Sequence, residues 1–219
     1  MFRFPLLPGG ARRQILVVGS HSDDIEIGCG ATLLALTRAQ PDVEVIWVVL
    51  GAQGVRADEA RASGAAFLEA ATRSDVIVHG FRDGFFPYVG AEIKDVFEEL
   101  KARTDPDIIF THTRHDLHQD HRLVCELTWN TWRDHLIVEY EIPKYDGDLA
   151  APNVFVSVPE ALAREKADLI VRVFETQGVK HWFDAELFLG LMRVRGMEGR
   201  SPSGYAEGFT CRKLALEIG

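Results

Sequence analysis

Short apolar runs and helix-spaced segments alternate along the first two thirds of the chain. Residues 14–19, 43–50, 75–79 and 107–112 are dominated by valine, isoleucine, leucine and aromatic side chains, and each is bounded by polar or turn-forming residues. Such runs are too short for helices and too apolar for loops, so each is read as a buried strand. Between them, apolar positions recur every three or four residues over 29–40, 57–72, 90–103 and 119–133, the spacing of helices with one buried face. Strand alternating with helix predicts right-handed crossovers and a mostly parallel sheet flanked by helices on both faces, a Rossmann-like α/β architecture. Pro41-Asp42 and Asp105-Pro106-Asp107 mark returns from helix to strand. Beyond residue 134 the alternation loosens: strands are expected at 136–142 and 153–158, helices at 160–176 and 183–195, and a last strand at 209–217. The chain is read as one domain over 1–219, with a core at 14–134 and an α/β extension at 135–219 on the same sheet.

Composition narrows the functional classes. A chain of 219 residues that is 47% hydrophobic can bury one sizeable core. Its formal net charge of -9 argues against a nucleic-acid or anionic-membrane surface. Cys29, Cys125 and Cys211 are far apart, odd in number and without a C-x-x-C pair. That pattern gives neither a disulfide framework nor a structural zinc knuckle, and it fits a reducing cytoplasm. Residues 1–8 are too few and too proline-broken for a signal peptide, and no apolar run reaches membrane-spanning length, so a soluble protein is expected.

In open sheets of this kind ligands sit outside the carboxyl ends of the strands, so the polar clusters after each strand carry the chemistry. His21, Asp23 and Asp24 follow the first strand, Gly51 to Arg56 the second, Arg82 and Asp83 the third, and His112 to His121 the fourth. The last of these, THTRHDLHQDHR, holds four of the chain's eight histidines. His118 and His121, three apart at the start of a helix, face one point; His21 and Asp24, three apart on a strand-to-helix turn, project past the sheet edge. Two imidazole nitrogens and one carboxylate oxygen, with a position left for water, are a donor set that catalytic zinc prefers. Capping of helix 29–40 accounts for one of Asp23 and Asp24, and less readily for both. Gly28-Cys29-Gly30 lacks the G-x-G-x-x-G spacing of a dinucleotide site and follows carboxylates that repel a pyrophosphate. Its glycines are read as letting the helix approach the sheet closely, and Cys29 and Cys125 as core filling.

The run HSDDIEIGCG at 21–30, followed by HQDHR at 118–122, resembles the zinc-dependent N-acetylglucosaminyl deacetylases of the PIG-L/LmbE type. RADEA at 56–60, Asp83-Gly84 and YAEGF at 205–209 match in the same order, so the resemblance spans residues 14–215. It implies an LmbE-like fold and a linear-amide hydrolase that removes an N-acetyl group from an N-acetylglucosamine-type sugar or its conjugate. It further implies one Zn2+ per chain on His21, Asp24 and His121, with Asp23 as general base. His118 would stabilise the transition state, with Asp120 holding its imidazole in the charged form. Arg56 would bind the sugar, positioned by Asp83, with Tyr205 and Glu207 also at the substrate. On this reading His118 has an elevated pKa and turnover follows a bell-shaped pH profile. The resemblance also implies a small-molecule partner and a homo-oligomer. Ser22 stands where proline or alanine is usual and Ala31 where glycine is usual, and neither removes a chemical group. His115 and Asp116 form a nearby rival pair. Trp129, Trp132, Trp182 and Phe183 are assigned to the core, and Arg193-Val194-Arg195-Gly196 to a solvated helix end.

Two other classes fit parts of the pattern. Acidic pairs after a first parallel strand bind magnesium in phospho-receiver-like signalling modules, but magnesium prefers all-oxygen ligands and has no use for the histidine cluster. A non-catalytic metal- or sugar-binding protein on the same fold would keep the cluster without turnover.

Overall fold

The computed structural model describes residue 6, residues 13–149 and residues 151–215; the rest of the proline-broken start of the chain lies outside the described residues. Five strands lead the order: β1 (Gln14–His21), β2 (Glu44–Gly51), β3 (Arg73–Val78), β4 (Ile108–His112) and β5 (Leu136–Tyr140). Four helices connect them: α1 (Asp24–Ala39), α2 (Val55–Phe67), α3 (Gly90–Arg103) and α4 (Gln119–Thr131). After β5 come β6 (Val154–Ser157), α5 (Glu160–Val173), α6 (Ala185–Glu198) and β7 (Ala206–Thr210).

The pleat of β1 sorts its side chains between two cores. Ile15 and Val17 join Val45, Trp47 and Val49 of β2 on one face, covered by α1, α2, α5 and α6. Leu16 and Val18 join Ile46, Val48 and Leu50 on the other, covered by α3 and α4. Burial on both faces is why these strands read as unbroken apolar runs. Each helix presents its stripe in turn; α3, for instance, buries Ile93, Phe97 and Leu100, side chains worth about 1.5–3 kcal/mol each when fully buried.

The sheet runs β3-β2-β1-β4-β5-β7-β6, parallel from β3 to β5, with β7 antiparallel between β5 and β6. The strand order reverses between β1 and β4, and that switch point opens a crevice at their carboxyl ends. It is the 3-2-1-4-5 order, not the 2-1-3-4-5 order of receiver modules, and it sets the signalling reading aside. Among the described residues no helix is long and apolar enough to cross a membrane.

Three elements differ most from the sequence reading. Helix α1 begins at Asp24, not at 29, with Asp23 as its N-cap residue and Asp24 and Glu26 in its first turn. Helix α2 stops at Phe67, five residues short of 72. The last strand is Ala206–Thr210, not 209–217: Ala206 and Phe209 are buried, whereas Arg212 and Lys213 are exposed and form no strand. Residues 216 and 217 lie outside the described residues.

Candidate active site

Strand β1 delivers His21 to the switch point, and the chain turns at once into α1. Gly28 lets this helix lie close to the sheet: a Cβ there would stand 2.2 Å from the Tyr140 ring of β5. Asp24, in the first turn, accepts the backbone N–H of His21 at 2.7 Å. Across the crevice, α4 brings up His121, 3% exposed. His21 Nδ1 lies 3.1 Å from His121 Nε2 and 3.3 Å from Asp24 Oδ2, and that oxygen is 3.5 Å from His121 Nε2. Donors held at about 2.0–2.2 Å around a tetrahedral ion stand roughly 3.3–3.6 Å apart. The triangle therefore fits a zinc-sized cation, and a divalent metal is the natural partner for two imidazole nitrogens meeting a buried carboxylate.

Each imidazole of the triangle has a carboxylate at its far nitrogen. Asp116 Oδ2 lies 2.9 Å from His121 Nδ1, and Asp120 Oδ2 lies 3.2 Å from His21 Nε2. This outer arrangement fixes tautomer and ring orientation for metal binding. Asp116 is itself held by Lys144 at 3.0 Å and by the N–H of His118 at 2.8 Å. His112, at the end of β4, stacks on His121 with centroids 3.9 Å apart. Its Nε2 accepts the N–H of Ser20 at 3.0 Å, and burial, aided by the neighbouring His121, pushes its pKa down to about 4. His112 is thus a neutral plate behind the ligand ring.

The two aspartates of the turn differ electrostatically. Burial would raise Asp24, but His121, His112 and His21 hold its carboxyl well below the ordinary range. Asp23 is pushed up by burial and by Asp24, with Arg56 and Lys180 opposing. One carboxylate kept anionic beside another raised toward proton uptake gives the two aspartates distinct chemistry. Arg56 approaches Asp23 at 3.3 Å and Asp83 at 3.4 Å, and its Nε donates to the Ser22 hydroxyl at 3.1 Å. Ser22 thus gives the arginine another anchor. Asp83 also meets His21 Nε2 at 3.1 Å, and Gly84, at φ 81°, turns its N–H onto Asp120 at 2.6 Å.

His118, Asp120, Tyr205 and Glu207 sit differently from expectation. The Nδ1 of His118 accepts the backbone N–H of Asp120 at 3.2 Å, while the Asp120 carboxylate takes the N–H groups of Gly84 and Phe86 and faces His21. Asp120 therefore does not hold His118 charged. Burial and the neighbouring His121 and His21 lower the His118 pKa instead of raising it. Glu207 is buried against the middle of α1, accepting from Ala31 N, Thr32 N and the Lys166 ammonium at 3.0, 2.7 and 2.6 Å. Tyr205 packs with Ala31, Val158 and Met192, under Arg193. Neither belongs to the His21–His121 cluster. His115 is exposed, whereas Asp116 is buried behind His121. Burial raises the thiols of Cys29 and Cys125, so neither is a nucleophile. Lys144 and His112 went unassigned in the sequence, because a lone lysine after a proline and a strand-end histidine carry no spacing signal.

Residues 16–132 match the sequence pattern of the PIG-L family, described as GlcNAc-PI de-N-acetylase, over more than half of the chain. The chain belongs to the PIG-L family. An Escherichia coli (strain K12) relative, the uncharacterized deacetylase YaiS, is 31% identical over 165 residues, 68% of this chain and 84% of the relative. Among solved structures, the N,N'-diacetylchitobiose deacetylase of Pyrococcus horikoshii superposes with a TM-score of 0.68 at 20% identity, covering 91% of this chain and 83% of its own. The 4-carboxy-2-hydroxymuconate hydratase GalB of Pseudomonas putida KT2440 does so with a TM-score of 0.68 at 15% identity, covering 95% and 99%. At these identities the superpositions establish a shared PIG-L fold, which also hosts a hydratase; the chemistry must come from the site.

Proposed function

We propose that this PIG-L protein is a zinc-dependent hydrolase that removes the acetyl group from an N-acetylglucosamine-type amino sugar or its conjugate. The observation that carries the reading is the donor triangle of His21 Nδ1, Asp24 Oδ2 and His121 Nε2, with edges of 3.1, 3.3 and 3.5 Å. Zinc held there, one per chain, supplies Lewis acidity and lowers the pKa of a bound water.

The protein's own groups do the rest. Asp23, one residue from the ligand Asp24, accepts the proton of the attacking water and passes it to the amine as the C–N bond breaks. With Nδ1 of His118 occupied by the Asp120 N–H, the neutral ring carries its proton on Nε2. That N–H is a donor for the oxygen that gains charge in the transition state, and no imidazolium is required. Arg56 steadies the Asp23 carboxylate and, with Asp83, offers polar groups to a sugar hydroxyl. Acetate and a free amine leave. The free thiols Cys29, Cys125 and Cys211 support a reducing, cytoplasmic setting.

The test is acetate release from N-acetylglucosamine and its glycosides by zinc-loaded protein. The reading expects release that a chelator abolishes and zinc restores. Zinc-loaded protein that binds such sugars but never releases acetate would make it a silent binder.

A further inference from the structure

Exposed apolar side chains lie on the segments that follow the carboxyl ends of the parallel strands, the edge that holds the site. Val55, Phe85, Leu117, Tyr145, Leu149 and Val179 are each more than a third exposed. The first five lie on the loops and helix start that follow β2 to β5, and Val179 lies in the segment between α5 and α6. Two polar side chains, His181 and Lys180, contact aromatics here. The Tyr145 hydroxyl meets His181 Nδ1 at 3.1 Å, and its ring stands edge-on to Trp182, 6.3 Å away at 89°. The Lys180 ammonium lies 5.4 Å from the centre of the Trp182 ring. Tyr145 is thus held in one orientation while remaining 71% exposed. Ordering an aromatic and leaving its face in water is unfavourable twice over, and both costs are recovered when a flat apolar group covers it.

The Tyr145 segment is wired to the reaction centre: Lys144, next to Tyr145, bonds to Asp116 at 3.0 Å, and Asp116 holds His121 at 2.9 Å. His181, bonded to the Tyr145 hydroxyl, ties the neighbouring Trp182 to the same loop. A second copy of the chain seated there would cover the entrance that substrate must use.

Resting on the deacetylase reading, we propose that the substrate is a glycoside whose aglycone is an apolar ring system, packed on the exposed face of Tyr145 beside Trp182. The assay compares the methyl glycoside, the phenyl glycoside and the β-1,4-linked dimer of N-acetylglucosamine by acetate release. Covering one aromatic face favours the phenyl glycoside by about tenfold in KM over the methyl glycoside. In Tyr145→Ala that ratio collapses toward one. Tryptophan fluorescence of zinc-free protein gives an independent reading: phenyl glycoside quenches it, and Trp182→Phe removes the change. If no glycoside releases acetate yet Tyr145-dependent quenching persists, the rim inference stands and the deacetylase reading falls. Equal KM values insensitive to Tyr145 would overturn the inference. So would a preference for the sugar dimer over the phenyl glycoside, or a dimer in sedimentation that Val179→Asp dissolves.

Discussion

Replacing Asp116 by asparagine tests whether the outer carboxylates set metal affinity. Asp116 is 1% exposed and spends its oxygens on His121 Nδ1, the His118 N–H and the Lys144 ammonium. Despite its burial, His121, His112 and Lys144 hold its carboxyl well below the ordinary range. An amide keeps the shape but brings two N–H donors into a pocket of donors, so one buried donor loses its partner, at about 1–3 kcal/mol of stability. Loss of the carboxylate behind a ligating imidazole typically weakens metal binding 10- to 100-fold, about 1.4–2.7 kcal/mol. Competition for zinc against a chelating dye reads the second effect, and thermal denaturation of the apoprotein reads the first. Asp105→Asn is the control: that carboxylate also faces a histidine, His135 at 3.2 Å, but is fully exposed and is expected to change neither quantity. Wild-type zinc affinity in Asp116→Asn, alongside lost affinity in His121→Ala, would refute the reasoning.

Other changes separate parts of the account. Asp23→Asn is expected to keep zinc and lose about two to four orders of magnitude in turnover; since Asp23 is raised, wild-type activity climbs with pH as that carboxyl ionises, and full activity in the variant would remove it as the base. Glu26 is fully buried without an ionic partner among the described residues, and burial pushes its pKa well up against the opposing Ser63 hydroxyl. The folded state holds that proton where the unfolded chain releases it, so stability falls as pH rises above the ordinary glutamate value; Glu26→Gln is expected to flatten this slope in melts of the apoprotein from pH 5 to 8. Lys166→Met, which strands Glu207 without its ammonium, is expected to cost about 3–5 kcal/mol in urea unfolding. The double change with Glu207→Leu should recover much of that loss, unless the contacts to Ala31 and Thr32 dominate.

Hydrophobic pattern located the seven strands and six α-helices of the described residues because the sheet is buried on both faces, and runs such as 43–50 have few alternative readings. It missed the start of α1 because Asp23 and Asp24 look like loop residues until the fold brings His21, His121 and Arg56 against them. The last strand was displaced because apolar residues near the end of the chain, such as Leu214, imitate a strand while standing exposed. Motif spacing brought out His21, Asp24 and His121, and the fold unites them across 100 positions of sequence. Spacing is blind to which side of a helix a partner approaches. Glu207 therefore looked like a substrate contact although it reaches α1 from below, and Asp120 looked like the keeper of His118 although it faces His21.

Anomalous scattering at the zinc edge from zinc-loaded crystals measures the central claim most directly. The account expects a single peak about 2.0–2.2 Å from His21 Nδ1, Asp24 Oδ2 and His121 Nε2. A peak on the opposite edge of the His21 ring, among Nε2, Asp83 and Asp120, or none near His121, would contradict it.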